Sequence, residues 1–250
     1  MPTLAYIIIF SLISGVLSLV GGVMLLGRAE WVRKFSVHFI SFAAGTLLAT
    51  AFLDLLPEAL EMSGRTNAVL AAALLGIVSF FAIEKLIYKF HGHYYEDEGQ
   101  HGHAAPTLLS IGDGIHNFAD GVIVASAFLI NIPLGVVAAL AVAAHELPQE
   151  ISDFSVMLHH GWSRAKVFWS NFGISLTNVI GAVAAYAARD ALAGKLPFVI
   201  AFAAGIFIYI AGTDLFPEIT PERSRDKISH ILGLVFLGIA VVWILRLLLE

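Results

Sequence analysis

Long apolar stretches recur along the whole chain, separated by short polar connections. Each stretch has roughly 20 residues, the length that an α-helix needs to cross about 30 Å of hydrocarbon. The apolar residues run continuously instead of alternating over about ten residues, so helices are favoured over the strands of a membrane barrel. We therefore predict an all-α integral membrane protein, one transmembrane domain over residues 1–250 with about eight spans, approximately at 3–27, 36–56, 68–88, 107–130, 133–158, 166–188, 197–216 and 228–248.

The composition supports a lipid environment. Apolar residues make up 58% of the chain and charged residues only 13%, whereas a soluble domain devotes about a quarter of its residues to charged side chains. Cysteine is absent, so disulfides and thiolate metal ligands are excluded. The small net charge of −5 gives no reason to expect a nucleic-acid partner.

The distribution of Lys and Arg predicts the orientation. If the N-terminus lies outside, ten of the fourteen basic residues fall in the connections on the inner side. Positive residues concentrate in cytoplasmic connections of membrane proteins. We therefore expect both termini outside and the connection between spans 3 and 4 in the cytoplasm.

An internal repeat appears at an offset of 160 residues. The sequence FAAG at 42–45 returns at 202–205, and DLLPE at 54–58 returns as DLFPE at 214–218. Because span 2 runs outward and span 7 runs inward in the predicted topology, the two copies are inverted. Inverted repeats are common in transporters, with the substrate site near the midplane. Spans 1–3 and 6–8 would then surround a central pair, spans 4 and 5. Asp54, Asp214 and, in span 5, Asp153 become candidates for contact with an ion in transit.

Polar side chains line one face of each central span. The spacing of the span 4 residues is i, i+3, i+4, i+7, and those of span 5 follow a similar helical spacing. Each ionisable group at the bilayer centre costs at least about 2.5–3.5 kcal/mol, so these groups must face one another, water or a cation. The two sets are Asp113, His116, Asn117 and Asp120 in span 4, and His145, Glu146, Gln149, Glu150 and Asp153 in span 5.

A bound dication best explains these two stripes. Oxygen and imidazole donors without thiolate suit Zn²⁺, Fe²⁺, Mn²⁺ or Cd²⁺, and a dication offsets the repulsion among the carboxylates. The alternative is a hydrogen-bonded polar network that holds helices together. Two other functions use the same residues: an intramembrane zinc metallohydrolase, since His145-Glu146-x-x-Gln149 is close to H-E-x-x-H, and a metal-sensing or channel protein.

The connection after span 3 carries a second candidate metal-binding feature. Residues 91–103 read HGHYYEDEGQHGH, and two His-x-His pairs place imidazoles close together. Such composition is typical of weak metal binding by a solvated loop. We predict a His-rich cytoplasmic loop over 91–105, with His91, His93, His101 and His103 as its ligands.

Two motifs resemble a known family. The segment GDGIHNFADG at 112–121 resembles the His-Asn-x-x-Asp-Gly motif of the ZIP family of zinc and iron permeases, and HELPQE at 145–150 resembles the HEIPHE signature of one branch. The eight spans, the outside termini and the His-rich loop fit that family too. The resemblance therefore covers essentially the whole chain.

The resemblance implies a transporter rather than an enzyme. It implies uptake of Zn²⁺ and related ions toward the cytoplasm, a homodimer in the lipid bilayer, no organic cofactor, and movement of spans 1, 4, 5 and 6 as a block. The compact architecture suggests the inner (plasma) membrane of a bacterium. The matching metal ligands are His116, Asp120, His145 and Gln149, with Asn117 and Glu146 for a second ion and Asn178 contributed by span 6.

One position departs from the family signature. Gln149 stands where the signature has its second histidine, or in other members a carboxylate that can bridge two ions. A neutral amide oxygen is a poorer ligand and cannot bridge with charge. We therefore expect a single-ion site more readily than a full binuclear one.

Overall fold

The structure, a computed structural model, describes residues 3–92, 104–219 and 228–249. Every regular element among these residues is helical, which confirms the all-α class. We keep the numbering of spans 1 to 8, which lie at Thr3–Arg28, Phe35–Ser63, Thr66–Leu86, Ala104–Ile130, Ile132–His159, Arg164–Ala187, Leu196–Glu218 and Ile228–Leu249.

Seven of these described helices are long and apolar enough to cross a membrane. Span 4, with 27 residues, is of similar length and carries its polar stripe on one face. The helix that contains span 3 continues to Gly92, and span 4 begins at Ala104. Most of the predicted His-rich loop therefore lies outside the described residues.

Spans 1 and 2 belong to one helix that changes direction at Arg28. The helix extends over Thr3–Ala49, and Arg28 alone in it has non-helical backbone angles, with φ −144° and ψ 52°. The two spans are therefore connected by a kink followed by a helical segment, and not by a loop.

The internal repeat is visible in the backbone. Span 2 changes to a π-helix over Thr50–Leu55, and span 7 does so over Ala211–Leu215, so the two segments end 160 residues apart. Each π-helical segment is followed by a proline, Pro57 or Pro217, which has no N–H to donate to the preceding turn. A π-helical turn within an α-helix is often found at a functional site.

The two repeats are inverted relative to each other. Arg65, just after the end of span 2, lies over the ring of Phe198 at the start of span 7, 5.9 Å from its centroid, so the two spans run in opposite directions. Asp54 and Asp214 consequently lie toward opposite ends of the bundle. We call these the Asp54 end and the Asp214 end.

Close glycine contacts show how the repeats pack. Gly45 of span 2 lies against the backbone of Val235 in span 8, and Gly205 of span 7 lies against the backbone of Ala73 in span 3. The two glycines are 160 positions apart and their partners 162. Span 2 therefore packs on span 8 as span 7 packs on span 3.

The same symmetry relates the two central spans to each other. Gly21 of span 1 lies against the Leu147 carbonyl of span 5, and Gly181 of span 6 lies against the Phe118 carbonyl of span 4. These partners are 29 positions apart, and so are His116 and His145. The approximate two-fold axis of the fold therefore passes between the two histidines.

Candidate metal site

Four side chains from spans 4 and 5 converge at this axis. They are His116, Asp120, His145 and Glu146, and one ligand atom from each lies within 4.8 Å of the other three. The two Nε2 atoms are 3.2 Å apart. Asp120 Oδ2 lies 3.6 Å from the Nε2 of His116 and 3.2 Å from that of His145, and Glu146 Oε1 lies 3.6 and 3.8 Å from the same two atoms.

These separations suit a single tetrahedral dication. Ligands about 2.0–2.2 Å from a common ion at tetrahedral angles lie about 3.3–3.6 Å from one another. The five measured separations fall between 3.2 and 3.8 Å. Small side-chain movements would bring all four donors to bonding distance of a Zn²⁺ ion.

His145 is oriented toward the cluster by its own helix. Its Nδ1 lies 3.1 Å from the Ala141 carbonyl oxygen, a contact that favours a proton on Nδ1 and leaves the Nε2 lone pair facing the other ligands. Aromatic rings from outside the central pair close the cluster, Phe207 against His145 and Phe80 against His116, with centroids 6.0 and 5.4 Å apart. Metal-binding histidines are commonly oriented by such a hydrogen bond from the second ring nitrogen.

The acidic ligands are deeply buried and poorly satisfied by the protein. Glu146 is fully buried and Asp120 is 1% exposed. No described residue donates a hydrogen bond to Asp120 Oδ2 or to either oxygen of Glu146. A buried carboxylate without donors is costly, and a cation between these oxygens would remove that cost.

A second polar group lies one helical turn away and is centred on Asp113. Its Oδ1 accepts hydrogen bonds from the Gln149 amide at 2.8 Å and the Asn117 amide at 3.0 Å. The structure therefore places Gln149 and Asn117 on Asp113. Their amide nitrogens face a carboxylate and not the four-ligand cluster.

Two further predicted ligands are buried but belong to neither group. Glu150 is 1% exposed, and no described residue hydrogen-bonds its carboxylate oxygens. Asn178 of span 6 is fully buried with both side-chain polar atoms unpaired among the described residues, and its backbone carbonyl lies against Gly121.

Two predicted pathway residues, Asp54 and Asp214, lie at the two ends of the bundle, and the third, Asp153, is buried in span 5. Asp54 is buried and its Oδ1 lies 3.8 Å from the Nε of Arg246. Asp214 is exposed and accepts a hydrogen bond from Thr213 at 2.8 Å. His93, His101 and His103 lie outside the described residues, and His91 is described only in its backbone.

Arg246 was not among the predicted site residues. It entered the sequence analysis only in the count of basic side chains. A lone charged residue in the otherwise apolar span 8 was the available signal.

The family model for the ZIP zinc transporter matches residues 2–107 and 97–246, nearly the whole chain. This chain belongs to the ZIP zinc transporter family. The resemblance seen in the two motifs is thereby confirmed, and with it a metal transporter of the membrane. The buried histidine and carboxylate cluster lies on the two motifs that carry that resemblance.

Individual ZIP relatives cover different shares of the chain. Zinc transporter ZIP13 of Pongo abelii is 28% identical over 250 residues, which is 92% of this chain and 72% of that protein. Zinc transporter YKE4 of Saccharomyces cerevisiae is 28% identical over 238 residues, 81% of this chain and 68% of that protein. Zinc transporter ZIP4 of Mus musculus is 36% identical over 146 residues, 58% of this chain but only 22% of that longer protein.

These relatives also decide between a transporter and a hydrolase. All are named zinc transporters, and the expectation that this ZIP protein is not an enzyme is confirmed by that family membership.

Proposed function

We propose that this protein carries Zn²⁺ across the membrane toward the cytoplasm through the site formed by His116, Asp120, His145 and Glu146. The observation that carries the proposal is the convergence of four buried donors from two helices at separations suited to one dication. The ion is the transported substrate. Because nitrogen and oxygen donors also suit Fe²⁺, Mn²⁺ and Cd²⁺, we expect these ions to compete with Zn²⁺.

The packing supports movement of two groups of helices. Among the described residues, each glycine in close contact with another helix joins members of the same group. One group consists of spans 1, 4, 5 and 6, with contacts between spans 1 and 5, 1 and 6, 4 and 5, and 4 and 6. The other group consists of spans 2, 3, 7 and 8, with contacts between spans 2 and 8 and between spans 3 and 7. The first group holds the four-ligand cluster, while the second contributes the aromatic rings of Phe80 and Phe207. Sliding of the first group against the second would expose the ion to each side of the membrane in turn, as in other inverted-repeat transporters.

The remaining parts of the proposal follow from the sequence pattern. The Asp54 end would face outward and the Asp214 end the cytoplasm, in the inner membrane of a bacterium and as a homodimer. The His-rich loop would bind metal weakly on the cytoplasmic side. Asp54, Asp153 and Asp214 would guide the ion to and from the central site.

Uptake by the purified protein tests the proposed function. In proteoliposomes with a negative interior potential, we expect saturable ⁶⁵Zn²⁺ accumulation above that of protein-free liposomes, reduced by excess Cd²⁺ or Mn²⁺. The membrane potential favours inward movement of a dication, by about 2.3 kcal/mol per charge per 100 mV. Uptake no faster than in protein-free liposomes would refute the proposal.

Cysteine labelling tests the proposed orientation without background, because the chain has no cysteine. Asn67→Cys, in the exposed start of span 3, should react in intact cells with a membrane-impermeant maleimide. Ala165→Cys, in the exposed start of span 6, should react only after the membrane is permeabilised. Each position serves as the control for the other, and the reverse pattern would invert the proposed topology.

A further inference from the structure

A cavity of about 190 Å³ opens at the Asp54 end. Spans 2, 5 and 8 contribute its walls, and its polar lining consists of three carboxylates, one amide and one guanidinium. These belong to Asp54, Glu58, Glu61, Asn131 and Arg246. The cavity is thus a negatively lined pocket that already contains a positive side chain.

Arg246 is held across this cavity by two contacts with span 2. Its Nε lies 3.8 Å from Asp54 Oδ1, and its Nη1 donates a hydrogen bond to the Leu53 carbonyl. Leu53 lies in the π-helical segment Thr50–Leu55. The irregular part of span 2 therefore supplies the anchor for the guanidinium.

The other end of the bundle has the opposite charge at the corresponding place. The contacts of Gly45 and Gly205 relate span 3 to span 8 with an offset of 162 positions, which pairs Glu84 with Arg246. Glu84 accepts a hydrogen bond from Tyr209 and forms an ion pair with Lys85 at 3.0 Å. One end of the path therefore presents a tethered cation and the other a carboxylate.

The two ends also differ in accessibility. The Asp54 side chain is 6% exposed, whereas Asp214 is exposed. Between the cavity and the metal cluster, Ala138 and Val142 of span 5 are fully buried. The eight residues from Val137, in the cavity wall, to His145 correspond to about 12 Å along the helix. Asp54 is therefore largely shielded from solvent at the end where Arg246 lies.

We propose that Arg246 is a tethered cation that occupies Asp54 in place of the transported ion, so that a dication must displace the guanidinium to pass from the cavity toward the metal cluster. The proposal rests on the proposed function and adds a specificity-determining residue to it. A guanidinium is charged at every physiological pH, so only a competing cation or a movement of span 8 releases Asp54.

This arrangement favours dications over monovalent ions. A Na⁺ or K⁺ ion brings no more charge to Asp54 than the guanidinium that it would replace. A dication brings twice the charge and can also attract Glu58 and Glu61, which line the same cavity. Arg246 would thus exclude the abundant monovalent ions while slowing the binding of Zn²⁺ only moderately.

The test is the concentration dependence of ⁶⁵Zn²⁺ uptake by Arg246→Gln and Arg246→Met proteoliposomes, the latter retaining the apolar stem of the side chain. We expect the KM to fall by about two- to fivefold, the range expected for loss of one partly exposed ion pair. NaCl should inhibit uptake by these variants more than choline chloride does at equal ionic strength, and should not do so in the wild type. A structural role alone would lower Vmax without lowering KM.

Two controls separate this mechanism from a general charge effect. Arg189→Gln removes an exposed arginine that does not line the cavity, and its KM should be unchanged. In an Asp54→Asn background, Arg246→Gln should no longer lower the KM, because the two effects act through one contact. An unchanged or higher KM in both Arg246 variants, with normal wild-type uptake, overturns the role of Arg246 alone. Absence of wild-type uptake overturns the proposed function as well.

Discussion

Replacing His145 with alanine is expected to weaken Zn²⁺ binding by at least about 100-fold and to reduce uptake to that of protein-free liposomes. Loss of a residue that merely supports a metal ligand already costs about 10–100-fold in affinity, and in the proposed site His145 supplies a ligand directly. The remaining donors would include two buried carboxylates with a single imidazole. The measurements are equilibrium ⁶⁵Zn²⁺ binding to the purified protein and initial uptake rates.

His159→Ala is the matched control for this prediction. His159 lies at the end of the same helix and is exposed, so its removal changes the number of histidines without changing the cluster. Both variants should elute as the wild type does in size-exclusion chromatography. Retention of wild-type affinity by a folded His145→Ala variant would show that the ion binds elsewhere.

Much of the fold could be predicted because its signals are local. Long apolar runs identify spans at a fixed length, and the repeated FAAG and Asp-x-x-Pro-Glu sequences identify equivalent turns without any knowledge of packing. The polar stripes also required only helical periodicity. Since His116 and His145 lie at similar depth in adjacent spans, the cost of burying them already indicated that they face each other.

The partners of individual side chains could not be predicted in the same way. Gln149 has the spacing of a cluster ligand, and its amide nitrogen donates a hydrogen bond to Asp113, a partner that helical periodicity does not identify. Arg246 lies close to Asp54, which is 192 positions away in the sequence, and this contact depends on how spans 2 and 8 cross. Such contacts arise from packing, which periodicity does not specify.

Gly121→Ala is expected to destabilise the protein by about 3 kcal/mol or more, or to prevent its folding. A methyl group at Gly121 would collide with the Asn178 carbonyl oxygen and approach the Ala182 backbone nitrogen within 2.8 Å. Both are backbone atoms of span 6 and cannot rotate away as a side chain would. Relief requires separation of spans 4 and 6, which also displaces Asp120, the proposed metal ligand next to Gly121. Zn²⁺ affinity should therefore fall together with stability.

Gly114→Ala provides the matched comparison on the same helix. A methyl group at Gly114 meets no atom within 4 Å, so this change should stabilise span 4 by up to about 1 kcal/mol, the usual difference in helix propensity between alanine and glycine. Unfolding by SDS in mixed micelles, followed by circular dichroism, measures both variants. Equal stability of the two variants would mean that spans 4 and 6 do not approach closely at Gly121. The position of the Asp120 carboxylate in the cluster would then not depend on this contact.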